Sequence, residues 1–287
     1  MAELAPALQS HHVWKDLAEA PSRSFGSSDD LSTLFTDWYS IQMLYSKCEL
    51  TVPGDKLVAL SGLAKDMKRH LAKLGCEDTG YLVGIWHARL PQALVWNVRD
   101  CGTRPATYRA PSWSWAAVDA TVVMHDWRPL PVPRLLADVI SARTTPLDPD
   151  DETGFVTGGV MTLRGKLFTA ELHPYKRIEI INEAGRKIVS FQGIGAGEAL
   201  FKVPDIRGNT WNIIFDTKED ISDKVFCLPV TWTESKFNDY PNWHVGGLAL
   251  RRDDDGYRRV GCLSLEMIDD TLWPVLEYVA EREVVIL

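Results

Sequence analysis

The chain has 287 residues, 45% of them hydrophobic and 24% charged, and carries a net charge of −8. That apolar content supports a substantial core and excludes global disorder. The acidic balance, whose densest basic runs are Lys65–Arg69 and Arg251–Arg252, argues against nucleic acid or an anionic membrane as partner.

Residues 1–28 read as an N-terminal arm with a Ser/Gly-rich end and a short helix near Val13–Glu19. No secretory signal is legible there, and no stretch approaches the roughly 20 apolar residues of a membrane span. Ser28 or Asp29 supplies an N-cap, and Leu31, Leu34, Phe35, Trp38, Ile41 and Tyr45 recur at helical spacing. Pro53-Gly54 marks a turn and Asp55 a cap. Leu57, Leu60, Ala64, Met67, Leu71 and Leu74 then form a second helical stripe, closed by Gly75. A short third helix is expected over Asp78–Trp86.

Prolines at 105, 111, 129, 131 and 133 rule out a continuous helix beyond residue 100. The stretch Tyr108–Trp127 reads as extended and aromatic. After Pro133 short β runs dominate, separated by Gly, Asn and Asp turns: Arg134–Arg143, Gly158–Phe168, Arg177–Ile181, Lys187–Phe191, Trp211–Asp216, Asp223–Thr233, Val245–Arg251, Tyr257–Glu266 and Arg282–Leu287. The expected fold is α+β. N-terminal helices of a helical, Trp-rich segment (29–133) pack on a mainly antiparallel β-barrel or sandwich (134–287), the two forming one compact unit.

Tryptophan is over-represented. Five of the 11, Trp86, Trp96, Trp113, Trp115 and Trp127, fall in one short span. In an extended Ser112-Trp113-Ser114-Trp115 the two indoles would share a face. They are then either core, fastening helices to sheet, or, with Tyr108, an aromatic wall lining a ligand cleft. His87, Asp119 and His125 lie near this block. An Asp119–His125 pair is the best acid/base candidate, with His87 as a further proton carrier. Arg104 and Arg109 suit a carboxylate or enolate, and His244 follows Trp243 in an expected late loop at the mouth of the sheet.

The remaining motifs are negative. There is no GxSxG elbow, HExxH pair or P-loop, and Gly193–Gly197 lacks the spacing of a dinucleotide loop. The five cysteines, Cys48, Cys76, Cys101, Cys227 and Cys262, form no CxxC pair and read as reduced thiols of a cytoplasmic protein. No metal site or cofactor is implied.

One resemblance is specific. Tyr108-Arg109-Ala110-Pro111-Ser112-Trp113-Ser114-Trp115-Ala116, followed by Asp119, resembles the last signature block of the fungal heterokaryon-incompatibility (HET) family. Asp55–Ala64 (DKLVALSGLA) is similar to the helix that precedes that block. Tyr81–Trp86 (YLVGIW) and Leu90–Trp96 (LPQALVW) resemble the family's intervening segment. The resemblance spans residues 30–287 and implies the C-terminal half alone. The N-terminal ALSYxWG and WIDxxCIxQ blocks of the TIR-like half have no counterpart, so neither NAD cleavage nor a cell-death activity is carried over. Two functions follow as expectations. The first is a cofactor-independent cyclase or isomerase of fungal secondary metabolism, including pericyclase-type chemistry, on an aromatic or polyene small molecule. The second is a non-catalytic recognition or regulatory module of the incompatibility system. A closed pocket with convergent polar groups favours the first; a flat exposed aromatic patch favours the second.

Overall fold

The computed structural model describes residues 28–48, 50, 52–124, 133–173, 177–181, 187–192, 200–204, 210–237, 240–267 and 276–287. Helix α1 (Ser28–Tyr45) buries Phe35, Trp38, Tyr39, Ile41 and Tyr45. A 3-10 turn (Pro53–Lys56) leads into α2 (Val58–Lys73), which buries Leu60, Ala64, Met67 and Leu71. Asp55 does not cap α2; it lies inside the 3-10 turn, where its N–H donates to the Val52 carbonyl. Gly75, at φ 75°, ends α2 in the left-handed conformation, and the N–H of Cys76 closes back on the Leu71 carbonyl.

The expected third helix is a hairpin instead. Strands β1 (Tyr81–Leu82) and β2 (Ile85–Trp86) pair across Val83-Gly84, both at positive φ. Two left-handed residues in succession are the geometry of a tight hairpin turn, and a helix has no place for them. The Gly84 carbonyl accepts from the Trp38 indole at 3.0 Å, from the Trp115 indole at 3.4 Å and from the Gln42 amide. This one atom therefore ties α1, the hairpin and the Trp-rich block together.

The aromatic stretch is also not extended throughout. Trp115–Ala117 is a 3-10 turn whose cap, Ser114, accepts from the Ala116 N–H and donates to the Val83 carbonyl at 2.6 Å. On either side, β3 (Trp96–Val98) pairs with β4 (Val122–Met124).

The rest is β: β5 (Arg134–Leu135), β6 (Ala137–Pro146), β7 (Val156–Lys166), β8 (Phe168–His173), β9 (Arg177–Ile181), β10 (Lys187–Gln192), β11 (Leu200–Pro204), β12 (Thr210–Phe215), β13 (Lys224–Phe237), β14 (Tyr240–Asp253), β15 (Gly256–Met267) and β16 (Glu281–Ile286). They form one 12-stranded sheet whose main path runs β10-β9-β8-β13-β14-β15-β16-β7-β6. That path is open, not a closed barrel. β12 branches from β15 and carries β11, and β5 pairs with β13. The pairings are antiparallel except β15 with β16.

The central strands bury both faces. On β13, Leu228 and Val230 join the core shared with the helices and the Trp block, with Phe226 packed against it, whereas Val225 and Cys227 join a second core. Two-sided burial accounts for the near-continuous apolar runs of β13, β14 and β15. No described helix is long and apolar enough to cross a membrane.

Candidate functional site

The described indoles of the Trp block are core. Trp96, Trp113 and Trp115 are 0% exposed and Trp86 is 1% exposed. Each such burial removes about 200 Å² and contributes roughly 5 kcal/mol of gross hydrophobic gain. Trp86 sits edge-on to Trp38 and Tyr81, with ring centroids 5.5 and 5.1 Å away. The Trp96 indole donates to the Trp113 carbonyl at 3.1 Å. None of the four lines either cleft described below. Trp127 and His125 lie outside the described residues.

Beside this block the structure assembles a charged group that the sequence scatters. Arg109, its side chain 3% exposed, donates to the Asp119 carboxylate at 2.7 Å, to the Ala116 carbonyl at 2.8 Å and to the Pro53 carbonyl at 2.8 Å. Lys56, its side chain 5% exposed, points its amine at the same carboxylate oxygen from 3.5 Å. The amine also donates to the Val118 carbonyl at 2.5 Å and stands 5.3 Å from the Trp115 ring centroid. Burial, reinforced by the Arg109 charge, lowers the Lys56 pKa to about 8 against the partial restoring pull of Asp119. Tyr45, whose hydroxyl donates to the Lys56 carbonyl, is pushed by burial up to about 12.

Of these groups Tyr45, Lys56 and Asp119 line a cavity of about 350 Å³, with Cys48, Pro53 and Thr121 among its other walls. An amine of lowered basicity and a half-exposed carboxylate beside the Tyr45 ring can move a proton on a bound small molecule. Asp119 is thus in a polar cluster, but its described partners are Arg109 and Lys56. Lys56 was not among the residues singled out by sequence reasoning. It sits in a Pro-Gly-Asp-Lys turn that looks like surface, and only the distant Trp115, Val118 and Arg109 make it buried.

The two histidines stand elsewhere. His87 pairs its ring with the Asp78 carboxylate, both half-exposed, and lines neither cleft. His244 belongs to strand β14, not to a loop, and its ring meets the Ser264 hydroxyl at 3.1 Å. Burial lowers its pKa.

Arg104, Tyr108 and Arg109 line a second cleft, of about 190 Å³. Next to Arg104, which donates to the Arg259 carbonyl, lies a buried ion pair without a local sequence signature. Arg259 and Asp216 are both 0% exposed and bonded at 3.0 and 3.2 Å. The Arg259 guanidinium also donates to the carbonyls of Leu94 and Trp96 and stacks on the Trp96 ring at 3.4 Å.

Among the described residues one group offers metal-ligand atoms within 4.8 Å of one another: Glu171, His173 and Glu179. Lys224 and Lys187 already pair with its two glutamates. No protein-family model, no curated protein and no solved structure matches this chain.

Proposed function

We propose that this chain is a HET-like protein that binds a small aromatic or polyene carbonyl compound in the Lys56 cavity and isomerises or cyclises it without a cofactor. The observation that carries the reading is Lys56, its amine near Trp115 and lowered to about 8, in the lining of a cavity of about 350 Å³. At pH 7 an amine titrating there is neutral in roughly one molecule in ten. It can take a proton from a carbon next to a carbonyl and return it further along the conjugated chain, with no net change in atoms or electrons. Asp119, held by Arg109, steadies the ammonium formed between the two steps. The return of β5 onto β13 supports a sheet rolled toward a barrel as the scaffold. The HET lineage is supported by the three ordered sequence blocks. The recognition alternative needs an exposed indole patch, and the described indoles of the block are buried.

The test is a ligand capture. The purified protein is incubated with a metabolite extract of the producing organism, and retained small molecules are identified by mass spectrometry. The expected result is a molecule that wild type converts and that Lys56→Met retains unconverted. Conversion undiminished in both Lys56→Met and Asp119→Asn overturns the proposal.

A further inference from the structure

We propose that the second cleft is an oxyanion subsite, taking the carboxylate or phosphate group of a small molecule on Arg104 and Arg258. The charged side chains lining it are Arg104, Arg109 and Arg258 against that of Asp253; Leu287, the last residue, also lines it, with its oxygen already accepting from the Ser112 N–H and hydroxyl. Such a concentration of cations is out of character for a chain of net charge −8. The other nearby acids are already engaged. Asp220 accepts from Arg104 at 2.8 Å and from the Thr217 hydroxyl at 2.9 Å, Asp216 is held by Arg259, and Asp119 by Arg109.

Two donors are left over. Arg104 Nη1 and Arg258 Nε are buried and have no acceptor among the described residues. The other edge of Arg104 is fixed, its Nε and Nη2 on Asp220 and Nη2 also on the Arg259 carbonyl at 2.9 Å, so the idle Nη1 is held in place. A buried donor without an acceptor is costly. A planar guanidinium presents its N–H groups at the spacing that a carboxylate or phosphate accepts. Burial and the neighbouring cations Arg104 and Arg251 lower the Arg258 pKa, against the opposite pull of Asp220 and Asp253. That is the condition of a cation short of counter-charge. The volume, about 190 Å³, is below that of a pocket for a whole drug-sized ligand and suits a single acidic group. The subsite stands whether or not Lys56 acts as a base.

The test uses the full chain, with inorganic phosphate and acetate as probes, titrated by calorimetry at constant ionic strength against a sodium chloride reference. Saturable binding of either probe is expected. Phosphate alone marks a phosphate group as the ligand, and acetate alone a carboxylate. Arg258→Gln is expected to weaken binding about tenfold. Arg258→Lys, which keeps the charge but loses the fork, is expected to weaken it as well. Arg164→Gln, exposed and outside the lining, is expected to bind within about twofold of wild type. Titration indistinguishable from chloride, or wild-type binding by folded Arg258→Gln and Arg258→Lys, overturns the subsite.

Discussion

Removing the Asp216 carboxylate is expected to cost more stability than any surface change in this chain. Asp216 and Arg259 are both 0% exposed, and the carboxylate accepts from Arg259 Nε at 3.0 Å and from Nη2 at 3.2 Å. Asp216→Ala leaves a buried guanidinium whose other partners are two neutral carbonyls and the Trp96 ring. Breaking one side of a buried pair typically costs about 3–5 kcal/mol, because the remaining charge keeps its desolvation penalty. For a chain of this size each kcal/mol moves the midpoint by about 2–4 °C, so Tm is expected to fall by about 6–20 °C. Urea unfolding followed by tryptophan fluorescence reads the free energy directly. Replacing both members, as Asp216→Leu with Arg259→Met, removes the stranded charge and is expected to recover part of the loss. A loss below about 1 kcal/mol in Asp216→Ala, or a double variant less stable by the full sum of its single changes, refutes the reasoning.

Three further outcomes are expected. Gly84→Ala places a methyl against the Trp115 indole in a backbone conformation of φ 93°; it is expected to cost about 2–3 kcal/mol in the same urea assay, and an unchanged midpoint argues against the Gly84 junction. His244 has its pKa lowered by burial, so the unfolded chain takes up its proton first as pH falls; its contribution to stability is present above the ordinary histidine range and lost below it. His244→Gln is therefore expected to flatten the acid limb of the stability profile between about pH 7 and 5, and a limb of unchanged slope contradicts this. Lys56 behaves with the same sign at higher pH: its folded pKa is lowered from 10.5 to about 8, so wild type gains stability relative to Lys56→Met as pH rises from about 8 towards 10. The gain is on the order of 2–3 kcal/mol, and a pH-independent difference between the two proteins is the contrary result.

The helices and most strands were legible in the sequence because local pattern decides them. The stripes of α1 and α2 and the Gly75 stop are single-segment features. The hairpin Tyr81–Trp86 was misread as helix because its apolar residues fit either period, and the left-handed pair Val83-Gly84 settled the matter. The junction between β7 and β8 was missed because a single residue, Leu167, separates them. At the site, Asp119 and Arg109 were visible as charges next to an aromatic block. Their partner Lys56 was not, since its burial is created by residues far along the chain. Asp216 and Arg259 were hidden for the same reason: an ion pair between strands has no local signature, and Arg258-Arg259 reads as an ordinary charged strand end. The described indoles expected as a ligand wall, Trp86, Trp96, Trp113 and Trp115, are held in the core instead, and Trp115 and its neighbour Ala116 there meet Lys56 and Arg109.

The most direct test of the account is the titration of the Lys56 amine. In uniformly labelled protein the lysine side-chain carbon next to the amine reports its protonation by NMR, and Lys56→Met identifies the resonance. A midpoint of about 8 is expected, well below the ordinary 10.5 of a lysine. A midpoint near the ordinary 10.5 would mean that the amine is fully protonated at neutral pH and that the cavity has no base of this kind.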